Sequence, residues 1–284
     1  MSGFTVSVVL FAALLHASWN ALVKAGPDKF LTTLLVASGA AIISALLLPF
    51  LAAPHIQSWP WLAASTCCQI AYYLLLAAAY EHGDMSQAYP LMRGTAPLLV
   101  AFASVPLLGE RLATQQYVAV ALISAGVLAM CFARRNSTQA ASSGASRRAT
   151  GFALLNATAI ASYTMIDGVG VRRSGAPAAY TMWLCVLTAI GLLACAAGRR
   201  RILLPYARQH WRVALFGGFG SLASYGLALW AMTSAPVAAV AALRETAILF
   251  AAVIATLFLR ERIGLGRLAA VGLIACGAAV MRFA

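Results

Sequence analysis

Residues 93–133 read RGTAPLLVAFASVPLLGERLATQQYVAVALISAGVLAMCFA, and residues 244–284 read RETAILFAAVIATLFLRERIGLGRLAAVGLIACGAAVMRFA. Laid on each other at an offset of 151, they agree at 16 of 41 positions without a gap. Shared apolar bias accounts for several Ala and Leu matches. It does not account for Arg93 on Arg244, Thr95 on Thr246, Glu110 on Glu261, Arg111 on Arg262 or Gly126 on Gly277. The chain repeats itself.

Each copy carries two long apolar runs separated by Glu-Arg. A helix needs about 20 mostly apolar residues to cross a bilayer. Ten runs of this kind stand in the chain: Phe4–Val23, Phe30–Ala52, Trp61–Tyr80, Ala88–Leu108, Tyr117–Ala133, Phe152–Val171, Ala178–Ala197, Val213–Met232, Val237–Leu259 and Ile263–Phe283. They are too long for barrel strands, and lipid satisfies no backbone polar group, so they read as helices. The expected fold is an all-α membrane protein with ten transmembrane helices. Residues 1–133 make the first five-helix repeat and residues 150–284 the second. Residues 134–149, rich in Ser, Ala and Arg, read as a flexible polar linker between them. Five is odd, so the second repeat enters the membrane from the opposite side. Inverted-topology repeats of this kind build many secondary transporters. Breakers at Gly26-Pro27, Pro54, Gly83-Asp84 and Gly175-Ala176-Pro177 keep the connections short.

Composition agrees. The 284 residues are 62% hydrophobic and 10% charged, against about 25% charged in a soluble domain. The net charge of +13 would suggest nucleic acid in a soluble protein. Here the basic residues flank apolar runs, as at Arg134/Arg135, Arg147/Arg148, Arg172/Arg173 and Arg199–Arg201. That pattern fits anionic headgroups. The expected partners are the lipid bilayer and a small-molecule substrate, with no nucleic acid. The six cysteines all lie in apolar runs without metal-site spacing, so no metal or cofactor is expected. The first apolar run lacks a basic segment before it and is long enough to span, so it reads as a first membrane helix.

With loops numbered from the N-terminus, the odd loops hold 14 Lys and Arg, and the even loops hold Arg111, Arg172 and Arg173. The positive-inside rule then places both termini outside the cytoplasm.

Further residues carry a resemblance. Each fourth helix of a repeat closes on Glu-Arg, in Leu107-Leu108-Gly109-Glu110-Arg111-Leu112 and Phe258-Leu259-Arg260-Glu261-Arg262-Ile263. A fifth helix with a late Gly, Gly126 or Gly277, follows each. The first helix carries Trp19-Asn20; the fourth begins Ala88-Tyr89-Pro90-Leu91 and includes Pro97. Over nearly its whole length the chain resembles the EamA-type branch of the drug/metabolite transporter superfamily. The resemblance implies a central cavity lined mainly by membrane helices 1, 3, 4, 6, 8 and 9. It implies export or exchange of amino acids, other metabolites or drugs, at the cell (inner) membrane. It also implies termini in the cytoplasm, opposite to the charge count. Arg260 departs from the pattern, standing where the first half has Gly109.

Arg93 and Arg244 each lie about eight residues into a spanning helix, roughly 12 Å from its start. A charge that deep costs ~2.5 kcal/mol or more, so it must face the interior, pair, or meet water. They read either as structural arginines or as two symmetry-related cations for a carboxylate or phosphate. Glu245 points about 100° away from Arg244 and must find another partner, such as Arg93. It reads as a structural ion pair, a substrate-amine anchor or a coupling carboxylate. Asn156, Tyr163 and Asp167 share a face; Asp167 reads as a coupling carboxylate or as a headgroup contact. His16, Trp19 and Asn20 share a face of helix 1, and His16 is a second candidate for a coupling proton. In helix 3, Gln69, Tyr73, Leu76 and Tyr80 share a face. Tyr89 is a site candidate or an interfacial tyrosine. The expected substrate-binding set is Arg93, Arg244, Trp19, Asn20, Tyr73, Tyr89, Tyr163 and Glu245.

The sequence holds no His-Glu-x-x-His, nucleophile elbow or Gly-rich nucleotide loop, which argues against an enzyme. Without an ATP-binding motif, a gradient or exchange supplies the energy. A secondary transporter of amino acids or related organic anions, working by alternating access, fits these features. An anion channel or a membrane receptor without transport is the alternative.

Overall fold

The structure is a computed structural model that describes residues 1–82, 85–133, 143–259 and 264–284. The regular elements among them are helical: α1 (Gly3–Ala25), α2 (Lys29–Leu47), α3 (Trp59–His82), α4 (Met85–Leu108), α5 (Thr114–Ala133), α6 (Ser143–Ser174), α7 (Pro177–Cys195), α8 (Arg200–Gln209), α9 (Trp211–Met232), α10 (Val237–Arg244), α11 (Ala247–Leu259) and α12 (Leu265–Phe283), with three short 3-10 turns. Among the described residues, nine helical segments are long and apolar enough to cross a membrane, and Thr114–Met130 is a shorter tenth. The chain is a multi-pass membrane protein.

Local chemistry sets the helix ends. Ser2 accepts from the Thr5 N–H and Asp28 from the Leu31 N–H, so each satisfies a free donor of a first turn. Pro177 opens α7, where its missing N–H costs nothing. Gly109 and Gly175 stand at φ 66° and 62° just past α4 and α6, a conformation that suits glycine at a helix end. The breaker at Gly83-Asp84 and the Arg260–Ile263 stretch fall outside the described residues.

Three elements differ from the sequence expectation. Helix α6 starts at Ser143, so residues 143–149 are helical rather than flexible linker. Extending a helix from an anchored span costs propagation but no new nucleus. The rest of the linker, 134–142, is outside the described residues. The stretch Arg200–Gln209 forms α8, a short helix that leaves Ile202 and Leu204 exposed. It is tied to α2 by a 2.6 Å hydrogen bond between Tyr206 and Thr32.

The ninth span is divided. At Glu245–Thr246 the hydrogen bonds shorten to i−3: Glu245 N–H donates to Ala242, Thr246 to Leu243, Ile248 to Glu245 and Leu249 to Thr246, at 2.9–3.1 Å. A 3-10 turn inside a helix marks a strained or hinge-like segment. The matching helix of the first repeat, α4, runs through Pro90, Pro97 and Pro106 without division.

The repeats interlock. Helix α5 packs along α12, α3 along α6, and α1 and α2 along α9. Small residues permit the close approach, as between membrane helices generally. A Cβ on Gly126 would stand 2.8 Å from the Ala270 carbonyl oxygen, and one on Gly277 2.9 Å from the Ala119 carbonyl oxygen. The two contacts are images of each other under the repeat.

On the face of the even loops a polar clamp joins the repeats. Arg172, at the end of α6, donates to Glu110 after α4 at 2.7 Å. It also donates to the carbonyls of Met232 at 2.7 Å and Ala235 at 2.9 Å. Glu110 in turn accepts the Val237 N–H at 2.9 and 3.0 Å, satisfying the first turn of α10. Beneath it lies an apolar cluster that includes Val9, Val100, Val171, Leu184, Val237 and Leu243.

Candidate functional site

Seen along α4, Arg93 lies eight residues from Met85 and fifteen from Leu108, within the apolar span. Its side chain is buried, and burial of an unpaired cation there would be costly. Its Nε donates to Glu245 Oε2 at 2.9 Å, with both side chains under a tenth exposed. The two residues sit in different repeats, so this pair bridges the halves at depth.

The division of the ninth span separates Arg244 from Glu245. Arg244 ends α10, where the last carbonyls favour a cation, and Glu245 lies just ahead of α11, whose first N–H groups favour an anion. Turned apart, Glu245 goes to Arg93 while Arg244 lies over the ring of Tyr225, 5.0 Å from its centroid. Among the described residues, no carboxylate is within ion-pair distance of Arg244.

Under the repeat, Gly94 occupies the position of Glu245. A Cβ on Gly94 would stand 2.7 Å from the Leu128 side chain, so close packing against α5 has taken the place of a carboxylate. Two symmetry-related cations thus stand beside one acid, which pairs with Arg93.

The central cavity, about 100 Å³, is bounded by both arginines and by side chains of α1, α2, α3, α4, α6, α7 and α9. Of the expected residues, His16, Trp19, Asn20, Tyr73, Tyr89, Arg93, Tyr163 and Arg244 line it. Glu245 does not; it borders a small adjoining hollow with Arg93, Thr164 and Pro97. Asp167 does not border the cavity and does not reach the surface, where the sequence allowed a headgroup contact. It is fully buried and accepts from Tyr180 Oη at 3.0 Å, Gln69 Nε2 at 3.4 Å and Tyr225 Oη. These donors are neutral, and among the described residues no cation pairs with it.

The sequence reading missed Tyr72, Cys185, Thr188, Ser221 and Tyr225, which also border the cavity. Ser221 and Tyr225 are spaced by four on α9, and Thr181, Cys185 and Thr188 by four and three on α7. That helical spacing was the available signal. Tyr225 is the link between features: its ring faces Arg244 and its hydroxyl donates to Asp167. Aromatic edges continue the wall, with Tyr163 6.4 Å from Tyr225 and 5.9 Å from Tyr72, and His16 5.1 Å from Trp19. Asn20 Nδ2 is spent on the His16 carbonyl at 2.8 Å. Two lining atoms are buried without a partner among the described residues, Trp19 Nε1 and Thr188 Oγ1.

The EamA-like transporter family matches residues 3–132 and again 148–283, so both repeats are covered. A solved structure described as the crystal structure of a protein superposes with a TM-score of 0.80. It is 20% identical and is matched over 100% of this chain and 98% of that one. At that identity the likeness speaks for the fold. No curated protein matches the chain.

Proposed function

The chain belongs to the EamA-like transporter family, and on that premise we propose that it carries small metabolites bearing an anionic group, amino acids or related organic anions, across the cell (inner) membrane by alternating access. The observation that carries this reading is Arg244, a buried guanidinium on the cavity wall with no carboxylate partner among the described residues. A cation held in apolar surroundings favours any anion that reaches it, and a guanidinium favours a carboxylate by its paired donors.

The positions of the cavity and the clamp supply the cycle. On α1 and α4 the lining residues lie nearer the odd-loop ends, on α6 and α9 Tyr163 and Tyr225 lie nearer the even-loop ends, and Glu110 and Arg172 tie the even-loop ends together. The clamp on the even-loop side supports a cycle in which this state takes solute from the odd-loop side. Release on the other side requires the clamp to part and the odd-loop ends to close, with the repeats rocking about the site. The 3-10 turn beside Arg244 is placed to move with the solute it binds. Asp167, buried among neutral donors, is the carboxylate best placed to take a coupling proton, since Glu245 is held by Arg93. Export or exchange is the mode we propose.

The test is counterflow in proteoliposomes with a panel of radiolabelled amino acids and organic acids. Uptake that saturates and is accelerated by solute inside is expected. Solute-dependent conductance without counterflow would make the protein an anion pore, and binding without flux would make it a receptor.

A further inference from the structure

Resting on the transporter reading, we infer that the cavity selects a small carboxylate with a flat ring and no amino group. The substitution of Gly94 for the repeat-related Glu245 leaves two arginines and one acid around the site. The acid is consumed: Glu245 Oε2 accepts Arg93 Nε at 2.9 Å and does not border the cavity. The other nearby acid, Asp167, does not border the cavity and accepts from Tyr180, Tyr225 and Gln69. Among the described lining residues there is no carboxylate to receive an ammonium group. One guanidinium stands free of any acid among them, which matches one carboxylate.

The rest of the wall describes the body of the ligand. Tyr72, Tyr73, Tyr163, Tyr225 and Trp19 present aromatic surfaces to the same space. Aromatic pairs favour offset or edge-on contact with another ring. The volume of about 100 Å³ is below the roughly 150 Å³ of a cavity that binds benzene, so it admits no more than one ring. Two polar atoms on the wall are buried and unpartnered among the described residues, Thr188 Oγ1 on α7 and Trp19 Nε1 on α1. Thr188 is only 4% exposed. Buried polar atoms are normally bonded, and neither of these faces the cavity as it stands, so a ligand oxygen reaches one only if the wall shifts. A carboxylate on Arg244 satisfies the guanidinium, and a hydroxyl or oxo group that reached Thr188 or Trp19 would satisfy one atom more. An amino acid of equal size brings an ammonium group that must lose its water against this wall and finds no anion there.

The experiment uses purified wild-type protein with 4-hydroxybenzoate, phenylalanine, tyramine and phenyl phosphate. Binding is read from tryptophan fluorescence, with Trp19→Phe identifying the cavity signal. Exchange is read by counterflow of labelled solute. The expected result is binding and exchange of 4-hydroxybenzoate, with phenylalanine and tyramine weaker by tenfold or more. Arg244→Gln should lose the binding, and Arg244→Lys should keep part of it. Should Arg244→Gln fail to fold, competition among the four compounds on the wild type decides alone. Phenylalanine or tyramine bound as tightly as 4-hydroxybenzoate, or phenyl phosphate bound more tightly, overturns the inference. So does counterflow of other solutes without 4-hydroxybenzoate binding, which leaves the transporter reading intact. Tight 4-hydroxybenzoate binding without flux of any solute upholds the ligand class and removes the transporter reading.

Discussion

Arg93 reaches across from the first repeat to Glu245 of the second, 2.9 Å away, and the two neutralise each other with both side chains under a tenth exposed. A buried pair of this kind is strong evidence of mutual dependence and weak evidence of net stabilisation. Arg93→Gln or Glu245→Gln alone should cost about 3–5 kcal/mol, because the remaining charge is stranded. Replacing both, as Arg93→Met with Glu245→Leu, should restore much of it. Thermal unfolding in detergent measures this. Additive losses in the double variant would show that the pair is not coupled.

Asp167→Asn keeps the size of the side chain and most of its contacts while removing the exchangeable proton. Counterflow should persist in this variant, and the acceleration of net flux by an imposed pH gradient should vanish. Acceleration equal to wild type would move the coupling to another group, with His16 next in line on the cavity wall.

Glu110→Gln weakens a clamp whose members tie α4, α6, α9 and α10. Val240 lies fully buried beneath it. In a variant whose native cysteines are replaced, Val240→Cys places a single thiol at that position. Adding Glu110→Gln should raise several-fold the rate at which an impermeant maleimide on the even-loop side labels the introduced thiol. Unchanged labelling would mean the apolar cluster alone holds that face shut.

Gly126→Val and Gly277→Val should destabilise to a similar extent, by about 1–3 kcal/mol each, the usual penalty of overpacking. Their contacts are related by the repeat: Gly126 faces Ala270 and Ile274, and Gly277 faces Ala119 and Ile123. Heat stability of the detergent-solubilised variants checks it. A large loss at one position with none at the other would break the symmetry assigned to the α5–α12 contact.

The ten spans and their repetition were legible because lipid imposes one demand on every crossing segment: a long apolar run closed by polar ends. The arginines were legible for the same reason, since a charge in such a run must be accommodated. The division of the ninth span was not. Hydropathy from Val237 to Leu259 is interrupted only by Arg244, Glu245, Thr246 and Thr256, and nothing in their identity specifies an i−3 turn. Tyr225 escaped notice because tyrosine is ordinary in membrane helices. Its importance comes from two contacts with residues 19 and 58 positions away, Arg244 and Asp167. Asp167 itself looked free to reach a headgroup, because sequence spacing fixes its helix face but not its depth relative to α3, α7 and α9. Helix α8 was too short and too basic to register beside the spans.

The turn after Arg244 divides one repeat while its counterpart α4 stays whole, so the halves are unequal springs. A carrier built from unequal springs does not rest midway; its empty form spends more time exposed to one compartment. Its apparent affinity then differs between the two sides of the membrane, although the gradient alone fixes where net flow stops. In the proposed cycle the repeats rock against each other, and Glu245–Thr246 is where their symmetry is locally lost.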